Sequence, residues 1–280
     1  MRFTHRNISL EWTRDGSPRA DKLLLLHGLS GISTSYDEVV EQLGPDADVF
    51  RIDLRGHGHS DHAADTYTVP FYTADVIAFI EEVIAEPVVL VGHSLGGVIT
   101  HHISATRPDL VRSALCEDPP LYFCDQTLFE QSVFATIFPM LEAQMRSAQA
   151  SGQPREYFVQ MVLDAVMPWG RAGDNMSTRA AESRADALML GDPDVWLPAI
   201  HGGALSGYDP DARVSRPMVI LQADPEMGPA LFPDHATRQR AVNPAVEVRL
   251  IQGAPRGIHS FLGSSQRYTE ALRDIIERAS

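Results

Sequence analysis

Val88-Val89-Leu90-Val91-Gly92-His93-Ser94-Leu95-Gly96-Gly97 is a short apolar, β-branched run that ends in Gly-x-Ser-x-Gly. Residues 98–105 follow in a pattern that suits a helix. The order predicts a strand, a tight turn and a helix, with Ser94 at the apex of the turn. A serine on so sharp a turn takes a strained backbone, and Gly92 and Gly96 lack the Cβ atoms that would clash across it. The turn lifts the Ser94 hydroxyl out of the sheet and over the start of the helix. There, free N–H groups and the helix dipole favour negative charge. In an arbitrary loop the same five residues carry little information; the strand before and the helix after them give the motif its meaning.

The pattern continues outward in both directions. Residues 3–12 partly alternate and read as an edge strand, with a turn at residues 14–18. Residues 22–26 are a continuous apolar run, as in a strand covered on both faces. They lead into His27-Gly28-Leu29-Ser30-Gly31. Residues 33–43 suit a helix. Residues 49–54 form another strand and end in Arg55-Gly56-His57-Gly58-His59-Ser60-Asp61. In residues 71–85, Val76, Phe79, Ile80, Val83 and Ile84 recur at helical spacing. Residues 111–116 are a further strand, followed by Glu117-Asp118-Pro119-Pro120. This alternation predicts a mostly parallel sheet with helices on both faces.

After residue 120 the pattern changes. Phe129, Val133, Ile137, Leu141 and Met145 recur every fourth residue, with Pro139 expected to kink or interrupt the helix. Residues 154–167 and 177–190 also read as helices. Strands resume at residues 218–222 and 246–251, and a final helix spans about 266–279. The expected organisation is a core of residues 1–120 and 213–280 carrying a helical cap, residues 121–212.

The 280 residues are 44% hydrophobic, enough for one large domain with an insertion. The formal net charge is −14, which argues against nucleic acid and an anionic membrane as partners. Cys116 and Cys124 are a poor disulfide framework for this length and read as thiols in a reducing compartment. The first residues show no signal-peptide pattern, and no apolar stretch reaches membrane-spanning length. A cytoplasmic protein is expected, with homodimerisation left open. His57, His59 and His62 fit no metal-ligand spacing, and neither metal nor cofactor is expected.

With His27-Gly28-Leu29, the Asp53–Ser60 loop and the Ser94 turn in this order, each after a strand, the chain resembles the α/β-hydrolase superfamily. The resemblance implies the α/β-hydrolase fold: an eight-stranded, mostly parallel sheet with helices on both faces and an inserted helical cap. It implies Ser94 as nucleophile and the amides of Leu29 and Leu95 as an oxyanion hole. The base in this superfamily follows the last strand, where a gap-free match puts Arg256. An arginine stays protonated and cannot serve. His259, three residues on, is the base expected here, in preference to His235. The acid follows either the seventh strand, at Asp224, or the sixth. Some haloalkane dehalogenases and the fungal zearalenone lactonases carry it after the sixth. Counting along that strand favours Asp118, with Asp224 the alternative and Glu117 a solvated or supporting carboxylate.

Such a constellation implies acyl transfer to water by a serine hydrolase. Aromatic residues of the insertion, among them Tyr122, Trp169 and Trp196, are expected to contact a mid-sized hydrophobic ester or lactone. The same triad would serve a carbon–carbon bond hydrolase or a cofactor-free haloperoxidase. A small-molecule receptor on a hydrolase fold is the non-enzymatic alternative.

Overall fold

The computed structural model describes residues 1–167 and 169–279. Its centre is an eight-stranded sheet. In chain order the strands are β1 (Arg2–His5), β2 (Ile8–Gly16), β3 (Asp21–Leu26), β4 (Ala47–Ile52), β5 (Val88–His93), β6 (Val111–Glu117), β7 (Met218–Ala223) and β8 (Val246–Ile251). Their spatial order is β1-β2-β4-β3-β5-β6-β7-β8. Strands β3 to β8 run parallel, and β2 pairs antiparallel with both β1 and β4. The continuous apolar run of β3 marks its central position: Leu23, Leu24, Leu25 and Leu26 are all 0% exposed. Each such burial contributes roughly 1.5–3 kcal/mol.

The single edge strand expected over residues 3–12 is a hairpin. Arg6 and Asn7 turn the chain with φ of 47° and 66°, the left-handed backbone that two-residue hairpins need. No glycine marks this turn, so its signal in the sequence is weak.

Helices cover both faces. On one side α2 (Val69–Phe79) and α3 (Leu95–Thr106) pack with Leu24, Leu26, Leu90 and Cys116. On the other, α1 (Asp37–Leu43) and the last helix, α10 (Ser265–Glu277), pack with Leu23, Leu25, Val91 and Leu115. The helix expected over 33–43 opens instead with a tighter turn, Ser33–Tyr36, before α1. The helix α9 (Pro233–Val242) was not foreseen; it is mostly polar, and little of it is apolar enough to show a stripe.

Between β6 and β7 lie α4 (Gln126–Glu130), α5 (Phe134–Ala150), α6 (Arg155–Asp164), α7 (Thr178–Leu190) and α8 (Leu197–His201). The apolar repeat from Phe129 to Met145 is broken between α4 and α5, not at Pro139, which sits inside α5. A two-residue hairpin, Val166–Met167 with Gly170–Arg171, joins α6 towards α7. Ser177 caps α7 by accepting from the Ala180 amide. Among the described residues no helix is long and apolar enough to cross a membrane. Cys116 and Cys124 are both free.

Candidate active site

Strand β5 ends at His93, and α3 begins at Leu95. Ser94 between them has φ 50° and ψ −113°, a conformation that costs on the order of 1–3 kcal/mol. Its neighbours enforce it. Ser94 N–H donates to the Glu117 carbonyl at 2.9 Å, and its own carbonyl accepts from Val98 N–H at 3.0 Å. A Cβ on Gly92 would lie 2.1 Å from the Gly96 carbonyl oxygen, and one on Gly96 would lie 2.2 Å from that of Leu26. Only glycine fits at either position.

Ser94 and Leu29 stand together at the junction of two small pockets. Leu95 opens α3, so its N–H has no helical carbonyl to bond. Leu29 lies in a loop braced by two buried histidines. His57 Nε2 reaches the Leu29 carbonyl at 3.0 Å, and its Nδ1 reaches the Arg55 carbonyl at 2.9 Å. His27 accepts from Leu54 N–H at 3.0 Å through Nε2, and its Nδ1 donates to the Gly28 carbonyl at 2.8 Å. Asp53 ties the same region together, accepting from Ser33 N–H and His59 N–H. The histidines of the Gly-rich loop thus shape the backbone beside Ser94. Among the described residues no three His, Cys, Asp or Glu side chains cluster as a metal site.

After β8 the chain turns through Gly257, at φ 81°, into a short turn, Ile258–Ser260. That turn carries His259 to the buried end of β6. His259 Nδ1 is 2.7 Å from Glu117 Oε2, and its N–H donates to Glu117 Oε1 at 3.1 Å. A carboxylate only accepts, so Nδ1 carries the proton and Nε2 is left as the basic nitrogen. Nε2 makes no hydrogen bond among the described residues, and His259 lines the same pocket as Ser94. The ring lies between Tyr36, at 4.7 Å, and His93, at 5.2 Å. Burial pushes the Glu117 carboxyl up, but His259, His93 and the two hydrogen bonds from His259 outweigh it; the net shift is downward. Glu117 is therefore an ionised, fully buried carboxylate.

The carboxylate that meets His259 is thus Glu117, not the expected Asp118. Asp118 does not face His259. It has φ 40°, and its two carboxylate oxygens accept from the amides of Ala230 and Leu231 at 2.8 and 3.1 Å. The reason is strand parity: side chains alternate between faces. Ser113, Leu115 and Glu117 share the face toward α10, where Ser113 donates to the Ile275 carbonyl. Asp118 falls past the strand end, against the 230–231 loop. Asp224 caps a turn, accepting from Gly253 and Glu226 amides at 2.7 and 2.9 Å.

The expected substrate contacts separate as well. Trp196 lines the pocket of Ser94 and His259, though it is only 1% exposed and packs edge-on against Phe138. Trp169 lines a neighbouring cavity of about 480 Å³ and contacts Phe261. Tyr122 lines none of these spaces. Its hydroxyl donates to Asp211 at 3.0 Å and accepts from Gln239 at 2.9 Å, which holds it in the packing below α9. Phe123, Phe129, Phe138 and Leu205 form much of the apolar pocket, together with Tyr67 and Tyr72 of the core.

The buried histidines make stability depend on pH. Burial lowers His27 and His57, and brings His93 and His101 down to about 4. Because these folded-state values lie below the unfolded value of 6.5, the unfolded chain takes up protons first. Stability present at neutral pH is then lost as pH falls from about 6.5 toward 4. Asp118, raised by burial to about 6, opposes this with a single group. The melting temperature is expected to fall steadily between pH 7 and pH 5 in calorimetry. A constant or rising value would contradict the assignment of neutral, buried imidazoles.

The model of the α/β-hydrolase fold family matches residues 22–151. Over 154 residues the chain is 30% identical to an sn-1-specific diacylglycerol lipase from Xenopus tropicalis, covering 54% of this chain and 48% of that one. Over 96 residues it is 32% identical to the 2-(acetamidomethylene)succinate hydrolase of Mesorhizobium japonicum, covering 34% of each. The matched stretches span between about a third and a half of these relatives' own length. Among solved structures, the enol-lactonase of Burkholderia xenovorans LB400 superposes with a TM-score of 0.73 at 15% identity, covering 99% of this chain and 100% of that one. The likeness extends over the whole length of the chain, and the chain has the α/β-hydrolase fold.

Proposed function

We propose that the chain is a serine hydrolase that cleaves an ester or lactone through an acyl-enzyme. The observation that carries this reading is the 2.7 Å contact between His259 Nδ1 and the fully buried Glu117, with Nε2 left open on the pocket of Ser94. A serine hydroxyl needs a base, and the base needs a group that fixes its tautomer.

In the first half-reaction Ser94 Oγ attacks the carbonyl carbon while His259 Nε2 takes its proton. Glu117 stabilises the imidazolium through Nδ1–H. The Leu29 and Leu95 amides hold the oxyanion. His259 then gives its proton to the departing oxygen, and the acyl group stays on Ser94. Water, deprotonated by His259, attacks the acyl carbonyl; the proton returns to Ser94 as the acid leaves. No metal or organic cofactor takes part in these steps.

Residues 121–212 act as a cap in this reading. They contribute Phe123, Phe129 and Phe138 to an apolar pocket beside Ser94, which suits a hydrophobic portion of the substrate. The relatives' names include a lipase and a succinate-derivative hydrolase, and they support hydrolysis without agreeing on a substrate.

The test is labelling with a serine-directed fluorophosphonate, followed by peptide mapping. The adduct is expected on Ser94 alone. Ester turnover that persists while Ser94 stays unlabelled, or an adduct on another serine, would overturn the assignment.

A further inference from the structure

Among the described residues, two arginines near the site have no carboxylate within ion-pair distance. Arg184, on α7, and Arg256, in the loop before His259, both line the pocket that holds Ser94 and His259. Both also line the cavity of about 480 Å³ beside it. Neither makes a hydrogen bond or an ion pair with any described residue. The fully buried arginines behave differently. Arg55 grips Asp75 with two bonds of 2.7 Å, and Arg51 pairs with both Asp15 and Asp37. Acidic residues outnumber basic ones by 37 to 23, so carboxylates are not scarce in this chain.

The acids nearest the pocket are already engaged. Glu117 is bound to His259, and Asp118 to two backbone amides. Arg256 lies over the Phe134 ring, its central carbon 4.5 Å from the ring centroid. That contact occupies the flat face of the guanidinium and leaves its N–H edge unused. Burial lowers the pKa of both arginines, at Arg256 together with Arg184 and partly opposed by Asp118, and each lowers that of His93. Two half-buried guanidiniums without an ion pair, in a partly enclosed pocket, favour binding of an anion.

We propose that Arg184 and Arg256 form a carboxylate-binding subsite and that the substrate is an ester or lactone bearing a free carboxylate. This rests on the serine-hydrolase reading. A substrate would lie across Ser94, with its apolar part among Phe123, Phe129 and Phe138 and its carboxylate against the two guanidiniums. An arginine edge matches a carboxylate bidentately, so the pair would set orientation as well as affinity.

The test compares two esters that differ in one charge: 4-nitrophenyl hydrogen glutarate and its methyl ester. In the wild type, kcat/KM is expected to be about tenfold or more higher for the free acid, carried mainly by KM. The preference should shrink as salt is added. Free glutarate should inhibit competitively. In Arg184→Met and Arg256→Met the ratio of the two kcat/KM values should approach one, and Arg256→Lys should restore part of it. Equal or faster turnover of the methyl ester by the wild type, with no inhibition by glutarate, would overturn the subsite while leaving the hydrolase reading in place. Failure to cleave either ester, together with no phosphonate adduct on Ser94, would overturn both. The wild-type ratio and the inhibition need no variant to fold.

Discussion

Ser94→Ala is expected to reduce ester turnover by on the order of 10⁶ in kcat, down to a residual rate set by binding and the oxyanion hole. His259→Ala should fall nearly as far, because nucleophile and base act as a unit and their losses do not add. The fold should survive the serine change. The alanine occupies the same strained turn, at φ 50°, and the backbone bonds that hold it run from Ser94 N–H to Glu117 and from Val98 N–H to the position 94 carbonyl. Circular dichroism and melting temperature would confirm an intact chain. Turnover in Ser94→Ala above about a thousandth of the wild-type rate would mean that the nucleophile is elsewhere. Full activity in His259→Ala would remove the base from the scheme and leave Glu117 without a role in chemistry.

The second large effect separates two adjacent carboxylates. Glu117→Gln should cost on the order of 10⁴ in kcat. A glutamine can present its N–H₂ to Nδ1, which selects the wrong tautomer of His259 and no longer stabilises the imidazolium. Asp118→Asn should act differently. Its carboxylate accepts from the amides of Ala230 and Leu231 through two oxygens. An asparagine offers one acceptor and one donor, leaving a buried amide unpaired, at a cost of about 1–3 kcal/mol. The expected outcome is a lower melting temperature with kcat within a few fold of wild type. If Asp118→Asn were the crippled enzyme and Glu117→Gln the active one, the acid would belong one residue later.

The neighbouring pair Glu117-Asp118 also marks where reading the sequence stopped. A carboxylate near His259 at the end of the sixth strand was expected from the order of motifs, but which of the two residues met His259 was not legible. Counting residues locates a strand end to within about one position, and in a strand one position is the difference between faces. The 2.7 Å contact of His259 Nδ1 with Glu117 shows which of the two meets it. The clue in the sequence was the alternation of Ser113, Leu115 and Glu117, which only has meaning once α10 is known to cover that face.

Other features follow the same division. The fold was legible because it depends on local signals: continuous apolar runs for buried parallel strands, helical spacing between them, and glycines where the backbone turns. Gly92 and Gly96 could be read alone, since no side chain fits where a carbonyl lies within 2.2 Å of the would-be Cβ. The mostly polar α9 gave no such signal, and the hairpin turn at Arg6-Asn7 carries no glycine. Tyr122, Trp169 and Trp196 are alike as residues, yet one is held by Asp211 and Gln239, one lines a side cavity and one edges the pocket of Ser94. Their positions depend on how α4 to α8 pack together, a matter of contacts between residues distant in sequence. Arg256 is the sharpest case: along the chain it is a departure from the motif, and in the folded protein it lines the same pocket as Arg184, 72 positions earlier. Local spacing determined the strands and the turn that carries Ser94, because steric and periodic rules act over a few residues. Tertiary packing alone decided which carboxylate meets His259 and which aromatics and arginines line the pockets of Ser94, because those choices depend on segments that meet only when the chain is folded.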